Sequence, residues 1–501
     1  MKKLLNLTLF AALLLALVPI TASAQEPVTC QEEVVVQKDD WLSKYADKYF
    51  GNPYAWPAIF HWHNQAAEAD PAKFPNTIVN ADLIEVGWTI CIPSAEDATD
   101  FLTTYTEGID CMGAAADDQV AVIYQWSGAE EEKFNAVVKP LVDACGIEIV
   151  AQSTRDAAVV DTKFQSTPPD VLFWPTTAPL TLYTDQLKDL SDLGADPANY
   201  APYWQTMGSV GGRWLAAPVK ADIKTIIWYS PANFDLFGYS VPTTWDELDA
   251  LVEQMVADGN VPWSMGMESG AATGWTGSDF IQDILLVQQG PQYVLNVIDG
   301  TVAYNDAGVK QAYETYGKWA MDETYTVGGA TGTVSTGFLE AIYKAFSDPP
   351  EAMMVKQSGF AGGEVAKQYP DLVYGTDYDF FAVPGAQGMQ GGADFLMAAN
   401  DSPAAKALVG YLTSPKGARE WAGVGFDLSP NRMALGNYTD AALIKKALAL
   451  AGAAGFTPDI GDTVPAPFGE AEWTALVDYV NGADLDTALA TAAAAQADAL
   501  K

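Results

Sequence analysis

Basic residues are scarce in this 501-residue sequence, which has 26 lysines and arginines against 64 aspartates and glutamates and a formal net charge of −38. Such a charge repels phosphate backbones, so we do not expect nucleic acid as a partner. Histidine is scarcer still, because His61 and His63 are the only two and their spacing keeps them off a common helix face. No glycine-rich phosphate loop, HExxH, GxSxG or EF-hand pattern occurs. We therefore expect no cofactor, no metal site and no histidine-based catalysis.

The first 24 residues have the pattern of a secretory signal peptide. Lys2 and Lys3 precede an apolar run over residues 4–20, and Ala22-Ser23-Ala24 supplies small residues for cleavage. No later stretch is long and apolar enough to span a bilayer. Cys30 follows Pro27-Val28-Thr29, which is not the small-residue context of a lipid-modified cysteine. The sequence thus predicts export of the mature chain to the periplasm or the cell wall.

Cysteine is limited to four residues, which form neither a CxxC nor a Cys/His metal pattern: Cys30, Cys91, Cys111 and Cys145. An even count in an exported chain favours disulfides. Four cysteines allow three pairings, and their number alone does not choose among them.

A compact aromatic region over residues 31–94 predicts a small β-α-α-β unit, with strands at its two ends and two helices between them. This unit resembles the lysin-motif (LysM) family of glycan-binding modules. The resemblance rests on Asp40, Leu42, Ser43, Ala46, Tyr49, Ile59, Asn64, Ile78, Asp82, Val86, Gly87, Ile90, Ile92 and Pro93. It implies binding to polymers that contain N-acetylglucosamine, such as peptidoglycan. It also implies antiparallel end strands, which would bring Cys30 close to Cys91.

Residues 95–119 have linker composition, and a large region of alternating strands and helices runs from residue 120 to the C-terminus. The first elements are predicted as strands over 120–124, 147–150 and 170–174, with helices over 129–144 and 156–164. This alternation favours an α/β fold with a parallel sheet covered by helices on both faces. Cys111 and Cys145 precede neighbouring parallel strands, which start at the same sheet edge, so a bridge between them is geometrically reasonable.

Later helices are marked by capping residues. Thr244-Trp245-Asp246-Glu247 is a capping box, and Ser402-Pro403 and Ser414-Pro415 each place a cap residue before a proline of the first turn. The alanine-rich stretch 485–500 predicts a terminal helix.

Aromatic and polar residues follow three consecutive strands of the predicted sheet. Trp126 follows the first strand, Arg155 and Asp156 follow the second, and Trp174 ends the third. The carboxyl ends of parallel strands face the ligand crevice of an open sheet. Aromatic faces stack on the C–H faces of sugars, and arginine can bridge neighbouring hydroxyls. These residues therefore predict a sugar site.

The large region resembles the carbohydrate-type extracellular solute-binding proteins of ABC importers. The matching stretches, in chain order, are 126–130, 169–172, 212–218, 227–234, 242–248, 391–394 and 428–431, and residues 274–283 resemble the α-glucoside-binding branch. The resemblance implies a two-lobed, type II periplasmic-binding-protein fold. It places lobe 1 at about 120–222 and 353–392, and lobe 2 at about 223–352 and 393–501.

The same resemblance implies a non-enzymatic receptor that binds a mono- or oligosaccharide between its lobes and delivers it to a membrane permease. Hinge closure would occur about segments near Asp222 and near Met353–Ser358. The implied ligand-binding residues are Trp126, Glu130, Arg155, Asp156, Trp174, Trp275, Asp279, Phe360 and Asp394.

Two other classes of function stay open at this point. A cell-wall or polysaccharide hydrolase targeted by a LysM module could use a carboxylate pair, although no spacing among the 64 acidic residues singles one out. A structural cell-surface protein is the second alternative.

Overall fold

The computed structural model describes residues 28–78 and 84–501. The predicted signal peptide, residues 1–24, and Asp82 of the LysM-like pattern lie outside this part of the chain. The described chain forms two compact units, of which the first ends at Thr104 and the second spans Tyr105–Lys501. Within the described ranges, no helix combines the length and the apolar character that a membrane crossing requires.

The small unit has the order β-α-α-β. Strands β1 (Glu32–Val35) and β2 (Thr89–Ile92) pair antiparallel, and the helices Leu42–Phe50 and Trp56–Ala69 lie between them in the chain. A disulfide joins Cys30 to Cys91 across the pair, with 5.2 Å between the Cα atoms. This is the pairing that the LysM resemblance implies.

Both histidines of the chain belong to the small unit, and His63 is part of its core. The Nε2 atom of His63 lies 2.7 Å from the Asn76 carbonyl oxygen, and its Nδ1 accepts the backbone N–H of Cys91 at 3.3 Å. Burial lowers the pKa of His63, which favours the neutral ring that these two partners require. His63 therefore ties the helix Trp56–Ala69 to strand β2.

A helix, Ala95–Glu107, occupies half of the segment that we expected to be a linker. Ser94 accepts the backbone N–H of Asp97 at 3.0 Å and donates its hydroxyl to the Asp97 carboxylate at 2.7 Å. The linker prediction for residues 95–107 was wrong, because a capped first turn and a buried Ala98 outweigh the small, polar composition.

The large unit is built from twelve strands and many helices. Its strands are β3 (Gln119–Tyr124), β4 (Glu148–Ser153), β5 (Val171–Trp174), β6 (Ser209–Val210), β7 (Arg213–Trp214), β8 (Ala216–Ala221), β9 (Ile226–Tyr229), β10 (Met354–Lys356), β11 (Asp379–Ala382), β12 (Met389–Gly391), β13 (Ala393–Ala398) and β14 (Phe456–Pro458). Its α-helices are Ala129–Cys145, Ala157–Ser166, Ala178–Leu182, Pro202–Met207, Pro231–Phe237, Trp245–Ala257, Trp275–Gln288, Pro291–Ile298, Ala307–Ala320, Gly329–Ser335, Phe338–Lys344, Ala361–Gln368, Pro403–Thr413, Pro415–Gly423, Ala441–Ala451, Ile460–Thr463, Ala466–Val480 and Leu485–Ala499.

Lobe 1 surrounds a five-stranded sheet in the order β4-β3-β5-β13-β8. Strands β3, β4 and β5 are parallel, as the sequence predicts, whereas β13 runs antiparallel to both β5 and β8. All six residues of β13 are buried, because the strand lies between two neighbours and is covered by packed helices. A disulfide joins Cys111 to Cys145 at the edge where β3 and β4 begin, with 5.5 Å between the Cα atoms.

Lobe 2 surrounds a three-stranded antiparallel sheet in the order β10-β9-β11. Its helices bury a second hydrophobic cluster that includes Trp263, Phe280, Trp319 and Leu476. The C-terminal helices, from Ile460–Thr463 onward, pack into this second cluster.

Three connections join the lobes: residues 222–225, residues 383–388 and residues 452–455. Strand β12, which follows the second connection, links the other two, because Lys224 donates its backbone N–H to the Gln390 carbonyl at 2.8 Å and Met389 donates its own to the Gly455 carbonyl at 2.9 Å. This arrangement corrects the predicted boundaries. Residues 393–451 belong to lobe 1 because β13 is a central strand of its sheet, and β10 belongs to lobe 2 rather than to a crossing segment.

Candidate functional site

A cavity of about 580 Å³ opens between lobe 1 and the first turn of the lobe 2 helix Ile460–Thr463. Lobe 1 lines it with the chain that follows β3, β4 and β5, where the sequence predicts a crevice. The connection at Asp222 and the β12–β13 junction form its floor. Its volume lies within the range of small-molecule sites, roughly 300–1,000 Å³.

A carboxylate held by several donors lies in the lobe 1 wall. Asp394 accepts a hydrogen bond from Gln125 Nε2 to Oδ1 at 2.7 Å and one from Trp126 Nε1 to Oδ2 at 2.9 Å. Lys220 lies 3.6 Å from Asp394 Oδ2, and it also contacts Glu130 at 2.8 Å and Asp427 at 3.2 Å. We call Lys220 and its three carboxylates the Lys220 cluster.

Burial and charge act in opposite directions on the Lys220 cluster. Burial disfavours the charged form of Lys220, but the carboxylates of Asp394, Asp427 and Glu130 outweigh it and raise the lysine pKa. Burial raises the pKa of Asp394, against the opposing effects of Lys220, Trp126 and Gln125. Lys220 therefore stays charged, and Asp394 takes up a proton more readily than an exposed aspartate does.

A second cluster surrounds Lys224 on the connection between β8 and β9. The Nζ atom of Lys224 contacts Asp459, lies 3.1 Å from Asp462 and lies 3.5 Å from Asp279 of the helix Trp275–Gln288. Burial opposes the charge on Lys224, but the three carboxylates raise its pKa well above the usual value. Burial also opposes ionisation of Asp459, yet Lys224 lowers the Asp459 pKa to about 2. We call this the Lys224 cluster.

An aromatic group of lobe 2 adjoins the Lys224 cluster. The Trp275 ring meets Phe338 edge-on at 5.5 Å between centroids and lies 6.4 Å from Phe360. The Lys224 ammonium lies 5.5 Å from the centroid of Trp275. Phe360 keeps 39% of its surface exposed. This group offers flat apolar rings beside a charged, hydrogen-bonding wall, the mixture that suits a sugar.

The structure brings some of the predicted ligand-binding residues together. Trp126, Glu130, Arg155 and Asp394 line the cavity, and Trp275 and Phe360 contact each other in lobe 2. Trp126 is only 1% exposed, because aromatic rings of the lobe 1 core surround it. Its indole N–H, rather than its ring face, is directed at the site.

Trp275 and Phe360 are not among the residues that line the cavity, and three other predicted residues do not line it either. The Asp156 carboxylate caps the helix Ala157–Ser166 by accepting the Ala158 N–H at 2.9 Å. Trp174 is half-buried in β5 opposite Phe395. Asp279 is buried behind Lys224 and Lys356. Asp156 and Trp174 are next in the chain to the lining residues Arg155 and Pro175. Their positions at strand ends made them candidates, but a position in the chain does not determine where the side chain points.

Sequence reasoning missed several residues of the site: Gln125, Thr176, Thr177, Lys220, Asp222, Lys224, Asp459 and Asp462. The signal that could have been used is the presence of Lys220 in an apolar strand and of Lys224 in the connection after it. Buried lysines are paired in folded proteins, so these two predict carboxylate partners nearby. Asp459 and Asp462 gave no such signal, because their approach depends on the third connection between the lobes.

Comparison with known proteins places the large unit in a family. The pattern of the family described as bacterial extracellular solute-binding protein matches residues 127–419. The alpha-glucosides-binding periplasmic protein AglE of Rhizobium meliloti is 30% identical over 408 residues, covering 76% of this chain and 86% of that protein. The osmoprotective compounds-binding protein GgtB of Synechocystis is 29% identical over 402 residues, covering 76% of this chain and 93% of that protein.

A solved structure shares the fold. The bacterial solute receptor AcbH superposes with a TM-score of 0.66 at 17% identity, covering 76% of this chain and all of that one. A two-lobed unit with a cavity between its lobes, the family pattern and the long relatives all agree. The chain belongs to the bacterial extracellular solute-binding protein family.

Proposed function

We propose that this chain is the extracytoplasmic binding component of an ABC sugar importer, and that it binds a mono- or oligosaccharide, including α-glucosides, in the cavity between its lobes. The observation that carries the proposal is the composition of that cavity: fixed carboxylate acceptors, the exposed Arg155 and two threonines around a sugar-sized space. Buried hydroxyls need such partners. The name of the relative AglE, an α-glucoside binder, supports the choice of ligand.

A ligand screen tests this proposal. We expect maltose, trehalose or another α-glucoside to raise the thermal unfolding temperature, and titration calorimetry then to give a saturable 1:1 isotherm. Asp394→Asn removes a charged acceptor, so we expect affinity for that sugar to fall roughly 10- to 100-fold. Asp156→Asn is the matched control, because asparagine also caps a helix and Asp156 lies outside the cavity lining. Equal affinities of the two variants would contradict the proposed site.

Binding is coupled to hinge closure in this proposal. A sugar that contacts both lobes only in the closed form shifts the population toward that form by the difference in affinity. The three connections that meet near Asp222 and Gly391 are the hinge, and the membrane permease recognises the closed form. X-ray scattering with and without the sugar identified in the screen measures the change. Curves that coincide at saturating sugar would contradict closure.

The small unit serves as a tether to cell-wall glycan in this proposal. Its rings Trp41 and Tyr54 are exposed, which is unusual for large apolar side chains unless they meet a partner. Sedimentation with insoluble peptidoglycan tests the tether. We expect the full chain to be retained, and a variant without residues 25–104, which keeps the Cys111–Cys145 bridge, to stay in solution. Equal retention of both would rule the tether out.

A further inference from the structure

The Asp394 carboxylate is held by two residues that are consecutive in the chain. Gln125 Nε2 donates to one carboxylate oxygen and Trp126 Nε1 to the other. Neighbouring residues of a strand point to opposite faces, so two of them cannot normally reach one group. Here they can, because β3 ends at Tyr124 and the chain turns at the cavity edge. Oδ1 keeps a further lone pair for a ligand, whereas Oδ2 also faces the Lys220 ammonium at 3.6 Å.

The packing around Trp126 encloses its ring, so that its indole N–H is the part of the side chain that interacts with the site. The ring contacts Tyr124, Phe134, Phe173 and Phe426 at centroid distances of 5.0 to 5.4 Å. A ring enclosed in this way is not free to stack on a ligand, and its orientation is fixed by its neighbours. The fixed N–H therefore fixes the carboxylate that accepts it.

Charged groups from several elements face Asp394. Lys220 on β8 is the cation, and Glu130 approaches it from the helix Ala129–Cys145. Asp427 contacts Lys220 from the loop after the helix Pro415–Gly423. Asp222 and Arg155 line the same cavity. Glu130 and Asp427 also attract Lys220, so Lys220 stabilises the charge of Asp394 less than it would alone. The hydrogen bonds from the neutral donors Gln125 and Trp126 therefore contribute more to keeping Asp394 ionised.

We propose that Gln125 and Trp126 are positioning residues that hold Asp394 as an ionised, immobile acceptor for ligand hydroxyl groups. This inference rests on the proposed function for its ligand. It further implies that the position beside Asp394 accepts a hydroxyl or an ammonium group and rejects a carboxylate, because like charges at hydrogen-bond distance repel.

Trp126→Phe tests the inference, because it keeps the aromatic packing and removes the N–H. The matched control is Trp421→Phe, since Trp421 lies in the same aromatic core but donates its N–H to the Phe426 carbonyl at 2.6 Å. The direct readout needs no ligand: the ¹³C resonance of the Asp394 carboxyl, assigned by its loss in Asp394→Asn, is followed against pH. We expect the Asp394 midpoint to move upward in Trp126→Phe and to stay in place in Trp421→Phe.

Binding supplies the second readout. Maltose affinity at neutral pH is expected to fall about tenfold in Trp126→Phe, and its decline on acidification to begin at higher pH than in the unaltered protein. Gln125→Leu carries the same test if Trp126→Phe does not fold, because Gln125 is half-buried at the cavity edge. An Asp394 midpoint unchanged in either folded variant would overturn the inference. If the Asp394 midpoint moves as expected but the protein binds no sugar, the proposed function is rejected and the positioning role of Gln125 and Trp126 stands.

Discussion

Lys220 and Lys224 lie four residues apart, and each contacts three carboxylates, yet the two clusters differ in exposure. In the Lys220 cluster, Asp394 is 8% exposed, but Glu130 and Asp427 keep 40% and 50% of their side chains exposed. In the Lys224 cluster only Asp462 is exposed, at 68%, whereas Asp279 and Asp459 are almost fully buried, at 2% and 7%. The Lys220 cluster lies wholly on the lobe 1 side of the cavity, whereas the Lys224 cluster reaches the cavity through Asp459 and Asp462 and also joins a connection between the lobes to the helices of lobe 2.

The difference shows how one kind of ion pairing can serve two purposes. Exposed carboxylates can turn to water or to a ligand, so the Lys220 cluster can exchange partners at little cost. Buried carboxylates have no such alternative, and removing their lysine leaves charge without compensation. We therefore expect the Lys220 cluster to govern binding and the Lys224 cluster to govern stability.

Lys224→Met gives the largest expected effect. The substitution keeps the length of the side chain and leaves the buried, ionised Asp459 without its cation, so we expect a loss of about 3–5 kcal/mol in the free energy of unfolding. Urea denaturation measures it. Lys318→Met is the control, because Lys318 and its partners Asp249 and Glu253 are all substantially exposed, and it should cost less than about 1 kcal/mol. Similar losses in the two variants would remove the distinction between the clusters.

Local sequence patterns predicted the elements well. The capping box at Thr244 is present, with the Glu247 N–H donated to Thr244 Oγ1 at 3.2 Å and the Thr244 N–H donated to Glu247 Oε2 at 3.3 Å. The parallel arrangement of β3, β4 and β5 and the assignment to the solute-binding family are confirmed. These features depend on periodicity, capping and order along the chain, which a single sequence contains.

Long-range placement was not predictable in the same way. Strand β13 enters the lobe 1 sheet between β5 and β8, and nothing in its apolar sequence distinguishes that sheet from the one in lobe 2. For the site, the strand-end pattern predicted Trp126 and the family resemblance implied Asp394, and both line the cavity. It could not show that the Trp126 ring faces the core, since that depends on Phe173, Trp421 and Phe426 from three other elements.

Glu472 sharpens the comparison, because it is a buried carboxyl for which the described chain provides no lysine or arginine partner. Tyr304 donates its hydroxyl to Glu472 Oε1 at 2.8 Å, and burial raises the Glu472 pKa to about 7. The pKa of a glutamate in the unfolded chain is about 4.3. Between these values the folded protein binds more protons than the unfolded chain, so Glu472 lowers stability as pH rises through this window.

Glu472→Gln keeps the shape of the protonated group. Between pH 5 and pH 8 the free energy of unfolding should therefore decline by roughly 2–4 kcal/mol less in this variant than in the unaltered protein. Part of the decline should remain, because burial also raises the pKa of Asp283, to about 6. Urea unfolding at both pH values measures the difference. Glu470→Gln, on the exposed side of the same helix, serves as control. A decline as steep in Glu472→Gln as in the unaltered protein would contradict the assignment.

Lys220→Met gives the smallest expected change in stability, about 1 kcal/mol, because Glu130 and Asp427 become hydrated and Asp394 keeps its bonds from Gln125 and Trp126. Its effect on the site is larger. Without the lysine the pKa of Asp394 rises further, since burial then acts with less opposition. Sugar affinity measured by calorimetry should therefore decline at a higher pH than in the unaltered protein, while urea unfolding at neutral pH changes little. If Lys220→Met were as destabilising as Lys224→Met, hydration of Glu130 and Asp427 would not offset the loss of the lysine. The difference in carboxylate exposure would then not explain the different roles of the two clusters.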